Sequence, residues 1–363
     1  MIQGGFGAGG AEKVMARLAC HRAEYGDEVH IAGMTIPAGG SFFPYPRSVS
    51  LHVLTPNATR NAMLQPRRIL AIRRLIRSLH PDIIISFLTK VNCLTLLAIR
   101  GMKMPVIISE RNNPSLQSAG GWNNLQRMLL PYAAGLVMQT EDAADTLPSV
   151  QRLRARIIPN PCQPVFFRQT LDSPVCRFVG VGRLDQQKGF DMLIDAFSML
   201  PPDLPAQLEI FGQGQEQYAL SRRIEQSGQG HRIRLAGVAA SPREWLSAGD
   251  AVVISSRYEG FSNVLAEATC SGLPAIAFDC HYGIRDMLVD GQNGLLVADG
   301  DVAALAAAIE RFALDQKLRA RLGQAPHLMA GQLNPTRIMA QWDQLIDDVL
   351  AAGQIPACED LNF

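Results

Sequence analysis

The chain has 363 residues, 47% hydrophobic and 18% charged, a length that suits two cores better than one and a composition that excludes a disordered chain. No apolar run reaches the roughly 20 residues of a membrane-spanning helix and no charged-then-apolar leader opens the chain; seven scattered cysteines without metal-type spacing read as reduced thiols of a cytosolic protein, not a zinc module or a disulfide framework. The net charge of +1 hides an asymmetry, because residues 1–170 carry 19 Lys and Arg against 9 Asp and Glu, and the remainder carries 15 against 24.

Residues 1–6 hold few apolar side chains ahead of Gly7-Ala8-Gly9-Gly10, so a buried first strand is expected to be shortened or lost. A helical period covers 11–22, and short strands follow at 29–32 and 51–54. The spacing predicts a helix over 67–78, with Ile69, Leu70, Ile72, Leu75 and Ile76 filling one side. Arg73 and Arg77 align at i,i+4 on the other, and Arg67, Arg68 and Arg74 add charge. Such a helix reads either as a membrane-surface element or as a core helix with a solvated arginine face. The basic excess of the whole half favours attraction to anionic lipid headgroups. Nucleic acid ranks lower as the partner, since no recognisable nucleic-acid motif or aromatic-basic interleaving accompanies the charge.

A strand at 83–87, a helix at 93–98, a strand at 106–108, a helix at 123–132 and a strand at 135–139 continue the alternation. Asn160-Pro161-Cys162-Gln163-Pro164 reads as a stiff turn, and 167–174 as a linker. Strands are then predicted at 178–181, 207–211, 233–235, 251–254, 275–278 and 294–297, with helices between them and a final helix at 335–351. This order predicts an α/β protein of two doubly wound parallel sheets with helices on both faces.

Two loops carry the chemistry. In the first, Gly182 to Gly189 lies between a strand and a helix, the place where open α/β sheets bind ligands. It holds Arg183 and Lys188, two cations suited to a diphosphate that gains charge as it leaves. Each alone reads equally well as a solvated surface cation. In the second, Glu259-Gly260-Phe261-Ser262-Asn263-Val264 precedes and opens a helix that carries Glu267. Glu259 and Glu267 would accept hydrogen bonds from sugar and ribose hydroxyls, and the helix N-terminus at Ser262-Asn263-Val264 offers N–H groups to an anion. The ordinary reading of that loop is a strand–turn–helix with normal helix electrostatics.

Taken together and in this order, these motifs resemble the retaining glycosyltransferases of family 4, which have the GT-B fold. The resemblance covers nearly the whole chain. Gly9-Gly10-Ala11-Glu12-Lys13 matches the N-terminal glycine-rich loop, Asn160-Pro161 the element before the interdomain linker, and Gly182 to Gly189 the phosphate loop. Glu259 to Glu267 matches the two-glutamate motif, and Gly291-Gln292-Asn293-Gly294-Leu295-Leu296-Val297 the turn and strand near the end of the second domain.

The resemblance implies two Rossmann-like domains facing a central cleft. Residues 1–168 would form the acceptor domain, 173–335 the nucleotide-sugar domain, and 336–363 a helix packing back on the first. The implied activity is transfer of a hexose or N-acetylhexosamine, with retention, from a nucleoside diphosphate sugar, a uridine donor being favoured. The acceptor would be a glycan or lipid-linked saccharide of bacterial polysaccharide synthesis. The site residues would be Glu259, Arg183 and Lys188 at the reacting centre, with Gly9, Gly10, Gly182, Gly212, Phe261, Ser262, Asn263, Val264 and Glu267 around the donor. No metal and no cofactor are implied beyond the sugar nucleotide as co-substrate, and the protein is expected in the cytoplasm, peripheral at the inner face of the membrane.

One position departs from the family. Many relatives carry a histidine after the 106–108 strand, where this chain has Ser109-Glu110-Arg111-Asn112-Asn113-Pro114. Glu110 and Arg111 are therefore candidate substrate contacts, and the competing reading is a charge pair on a surface loop. His281 reads as a surface-loop histidine. The alternatives are a non-catalytic sugar-nucleotide-binding or membrane-docking subunit, or another enzyme of the same fold such as a sugar-nucleotide epimerase. A phosphorylase is disfavoured because its cofactor lysine motif is missing.

Overall fold

A computed structural model describes residues 1–55, 65–111, 121–167, 174–323 and 328–354. Residues 112–114, most of the expected 167–174 linker, His327 and Cys358 lie outside the described residues. The chain divides into two compact units, Met1–Asn160 with Thr336–Phe363, and Pro161–Pro335.

The first unit runs β1 (Ile2–Gly5), α1 (Gly10–Tyr25), β2 (Val29–Thr35), β3 (Val49–Val53), α2 (Gln65–Leu79), β4 (Ile84–Phe87) and α3 (Thr89–Ala98). It continues through β5 (Val106–Ser109), α4 (Trp122–Leu129), β6 (Gly135–Met138), α5 (Glu141–Asp145), α6 (Ser149–Arg154) and β7 (Ala155–Ile157). The strands form one sheet in the order β3-β2-β1-β4-β5-β6-β7, and every pairing is parallel. Every residue of β4, β5 and β6 is buried, as a parallel sheet covered on both faces requires.

The first strand is shortened, not lost. β1 is short and has two glycines, yet it sits mid-sheet between β2 and β4, with Ile2 opposite both Ala32 and Ser86. Two ladders hold it, so its own side chains need supply little. Ile2 enters the core with α2 and α3, and Phe6 enters a separate core with Ile31 and Val49. A Cβ at Gly5 would lie 2.9 Å from Thr35 Oγ1, which explains a small residue where a strand former was expected.

The second unit runs β8 (Cys176–Val181), α7 (Phe190–Ser198), β9 (Ala206–Phe211), α8 (Gln217–Ser227), β10 (Ile233–Gly237) and α9 (Pro242–Ala248). It continues through β11 (Ala251–Ile254), α10 (Asn263–Ser271), β12 (Ala275–Phe278), β13 (Gly294–Val297), α11 (Val302–Leu314), α12 (Gln316–Gly323) and α13 (Leu328–Gln332). Its sheet is parallel in the order β10-β9-β8-β11-β12-β13. One core joins a face of this sheet to α7, α8, α11 and α12, and another joins the opposite face to α9, α10 and α13. The strand order reverses between β8 and β11, the kind of switch point at which α/β sheets open a crevice.

The last helix, α14 (Pro335–Gln354), returns to the first unit. Its Ile338, Met339, Trp342, Leu345 and Ile346 pack with α1 against the inner strands, opposite the face covered by α2, α3 and α4.

Candidate functional site

Both chemistry-bearing loops of the second unit leave the strands that flank its switch point. Residues 182–189 follow β8, and 255–262 follow β11. The first loop tightens into a 3-10 turn over Gln186–Lys188, started by Asp185, whose carboxylate accepts from the Lys188 N–H at 3.3 Å. Gly189 then takes the left-handed conformation, φ 61°, and α7 begins.

Four hydrogen bonds stitch the second loop to the first. Ser255 Oγ donates to the Lys188 carbonyl at 3.0 Å, and the Arg257 N–H to the Gln187 carbonyl at 2.9 Å. Arg257 Nη1 donates to the Gln186 carbonyl at 2.8 Å, and Gln187 Nε2 to the Tyr258 carbonyl at 3.2 Å. The Arg257 guanidinium also grips Asp191 with two bonds, of 2.8 and 2.6 Å. That hydrogen bonding holds the Asp191 carboxyl below its ordinary range.

Inside this frame Lys188 Nζ meets Glu259 Oε1 at 2.7 Å, and Ser256 Oγ donates to the same oxygen at 2.7 Å. The side chains are 16% and 4% exposed, so this is a nearly desolvated ion pair. It lines a narrow crevice with Ser255, Ser256, Ser262 and Val264. Ser262 is the N-cap of α10 and accepts from the Leu265 N–H at 3.5 Å. The positive end of the helix dipole therefore opens beside the carboxylate–ammonium pair. Gly182 and Gly212 let two strand-end loops touch: the Gly182 N–H donates to the Phe211 carbonyl at 3.0 Å, and a Cβ on Gly212 would fall on the Gly182 carbonyl oxygen at well under 3.0 Å.

The remaining candidates of this unit are less tightly drawn in. Arg183 is 73% exposed and ties locally to Asp185 at 3.4 Å and Gln187 at 3.2 Å, away from the buried pair. Phe261 packs its ring into the core with Leu265 and Ala266, which leaves its backbone to any ligand. Asn263, Val264 and Glu267 are half-buried on the first two turns of α10. His281 is exposed, as expected. The clamp formed by Arg257 on Asp191 was missed, because no local pattern links residues 66 positions apart.

In the first unit Gly9 is the N-cap of α1 and Gly10 its first residue. The Glu12 carboxylate folds back so that a Cβ on Gly9 would strike it, and burial raises the Glu12 pKa. Glu110 and Arg111 are not a surface charge pair. Glu110 accepts from Thr89 Oγ1 at 2.6 Å and from the Arg111 N–H at 3.0 Å. Glu110 also lines a cavity of about 60 Å³ with Ile108, Leu130, Leu136 and Met138. Arg111 turns inward, its Nε donating to Ser109 Oγ at 3.0 Å and its Nη1 to Asn160 Oδ1. Among the described residues no cluster of three or more His, Cys, Asp or Glu is arranged to hold a metal.

The comparisons with known proteins match this division. A family model described as Glycosyltransferase Family 4 matches residues 8–164, and one described as Glycosyl transferases group 1 matches residues 166–327. The chain belongs to glycosyltransferase family 4.

As a glycosyltransferase it has a bacterial relative along most of its length and others along parts of it. It is 24% identical over 352 residues to a Campylobacter jejuni α-1,4-N-acetyl-D-galactosaminyltransferase named for an undecaprenol-linked saccharide, covering 94% of this chain and 96% of that one. It is 29% identical over 290 residues to an exopolysaccharide phosphotransferase of Streptomyces coelicolor, covering 78% of this chain and 30% of that longer protein. Among solved structures, Anabaena HepE in complex with UDP superposes with a TM-score of 0.79 at 19% identity, over 96% of this chain and 98% of that one. This likeness gives the GT-B fold.

Proposed function

We propose that the chain transfers a hexose or N-acetylhexosamine, with retention, from a UDP-sugar to a glycan or lipid-linked saccharide in bacterial polysaccharide synthesis. The observation that carries the reading is the desolvated pair of Lys188 and Glu259 at the N-terminus of α10. Lys188, with the N–H groups of the first turn, would face the diphosphate and balance the charge it gains on leaving. The exposed Arg183 would reach the same group. Glu259 would orient the transferred sugar through its hydroxyls, and Glu267 would hold the ribose.

Glu259 is read as a binding group and not as a nucleophile. Its Oε1 already takes bonds from Lys188 and Ser256, which lower its reactivity toward carbon. Retention would then come from attack on the same face that the diphosphate leaves, with the departing phosphate as base. This needs neither a glycosyl-enzyme, as in retaining glycosidases, nor a metal. The uridine preference draws on HepE, solved with UDP.

Titration calorimetry with uridine and guanosine diphosphate sugars tests the donor site. Micromolar binding of a uridine sugar, lost in Lys188→Ala, is the expected result. Equal binding in the variant, or none by the folded protein, overturns the assignment.

The second part of the reading places the first unit on an anionic membrane surface at the cytoplasmic face. On α2, Ile72 and Ile76 are buried, while Arg67, Arg74 and Arg77 are exposed beside Leu70, itself 51% exposed. Arg73 is not part of that face, for its Nη1 donates to the Ala98 and Arg100 carbonyls. Each arginine near an anionic surface contributes about 1 kcal/mol. Replacing Arg67, Arg74 and Arg77 together by glutamine should weaken sedimentation with phosphatidylglycerol vesicles on the order of a hundredfold. Unchanged sedimentation removes α2 from the membrane reading.

A further inference from the structure

The chain crosses between its two units twice, once after Asn160 and once after Pro335. Both segments, on the side of the first unit, meet at one side chain. Asn160 is buried, and its Oδ1 accepts from Arg111 Nη1 and from Gln139 Nε2 at 2.8 Å. The second crossing leads into α14, whose Trp342 is fully buried with its ring 5.7 Å from the Arg111 guanidinium carbon. The same guanidinium lies 4.4 Å over the Phe87 ring of β4, and Arg111 Nε reaches Ser109 at the end of β5. Phe87 and Trp342 are themselves 5.7 Å apart.

We propose that Arg111 is a positioning residue that fastens both crossing segments to the first unit, and not a contact to substrate. Arginine alone suits this place. Its Nε and Nη1 donate from one edge while its planar face stacks on aromatic rings, and a lysine would keep the charge but could not do both at once. Burial pushes the guanidinium down to about 9, with the Glu110 carboxylate opposing the shift, so the group remains charged at neutral pH. A well-packed apolar side chain is often at least as stabilising as a buried charge. The charge is therefore read as fixing one arrangement of four elements: β4, β5, the segment ending at Asn160, and α14.

Hydrogen exchange followed by mass spectrometry on the full chain tests this. In Arg111→Met, the Ile158 and Asn160 amides and those in the first turns of α14 should exchange at least tenfold faster, and both together, with α10 unchanged. Arg111→Lys should reproduce the effect. Trp342→Phe, a milder change, should raise exchange at Ile158 and Asn160 through the shared guanidinium, and it keeps the test decisive if Arg111→Met does not fold. The catalytic half of the inference rests on the proposed transferase reading: kcat should fall about tenfold with donor KM within twofold, because Lys188, Glu259 and Glu267, the proposed charged donor contacts, lie in the second unit. Faster exchange in one segment only, or in neither, overturns the proposal. So does a raised acceptor KM with unchanged exchange, which would make Arg111 a substrate contact. If the wild type transfers no sugar, the transferase reading fails while the exchange result still decides the role of Arg111.

Discussion

Replacing Gly189 by alanine should lower donor affinity at least a hundredfold and destabilise the second unit by about 3 kcal/mol or more, through left-handed strain and a backbone clash added to it. Gly189 sits at φ 61°, and a Cβ there would fall on the Ser255 carbonyl oxygen, far inside van der Waals contact. Met192 Cε is also close and can move aside. The Ser255 carbonyl cannot, because it belongs to the loop that Ser255 Oγ and the Arg257 N–H bind to the first. The two loops must part, and the Lys188–Glu259 contact parts with them. Gly228→Ala supplies the control. Gly228 is also left-handed, φ 68°, at the C-terminus of α8, but a Cβ there meets nothing within 4 Å. It should lose only the conformational part, about 1 kcal/mol, and bind donor normally. Denaturant unfolding and calorimetry on both variants separate strain from clash. Wild-type donor affinity in Gly189→Ala would show that the loop contact is not needed.

What the sequence disclosed follows from how local each signal is. The runs at 178–181 and 251–254 read as strands because a strand buried on both faces must be apolar throughout. The two loops after them were found for the same reason: each is a polar break between an apolar run and a helical period. Their union was not legible. Lys188 and Glu259 are 71 positions apart, so no window on the chain shows that the proposed phosphate cation and sugar carboxylate form a pair. β1 failed in the opposite sense, since Ile2-Gln3-Gly4-Gly5 has the composition of a loop and owes its strand to neighbours on both sides. In sequence Glu110-Arg111 reads as substrate contacts or as a surface charge pair, and only tertiary structure supplies Thr89, Asn160 and Trp342 around it. Arg73 misled in the same way, as its predicted solvent face is a hydrogen bond to the end of α3.

The pair itself yields the prediction that best separates folding from function. Lys188→Ala leaves the Glu259 carboxylate 4% exposed without its cation, and breaking a buried pair from one side typically destabilises by about 3–5 kcal/mol. Glu259→Ala strands the ammonium likewise, with somewhat less effect, since Lys188 is more exposed. Removing both charges is different. In Lys188→Met with Glu259→Leu, no ion remains to be desolvated, and stability should return to within about 1–2 kcal/mol of the wild type, as for other buried pairs replaced by apolar residues. Binding cannot return by that route. A diphosphate needs the cation, and sugar hydroxyls need the carboxylate. The double variant should therefore unfold near the wild-type denaturant midpoint and neither bind nor transfer a UDP-sugar. A stable double variant that still transferred sugar at the native rate would move the reacting centre away from this crevice. Failure to recover stability would instead mean that the two side chains do not compensate each other in the folded chain, and with that the electrostatic argument for the site would fall.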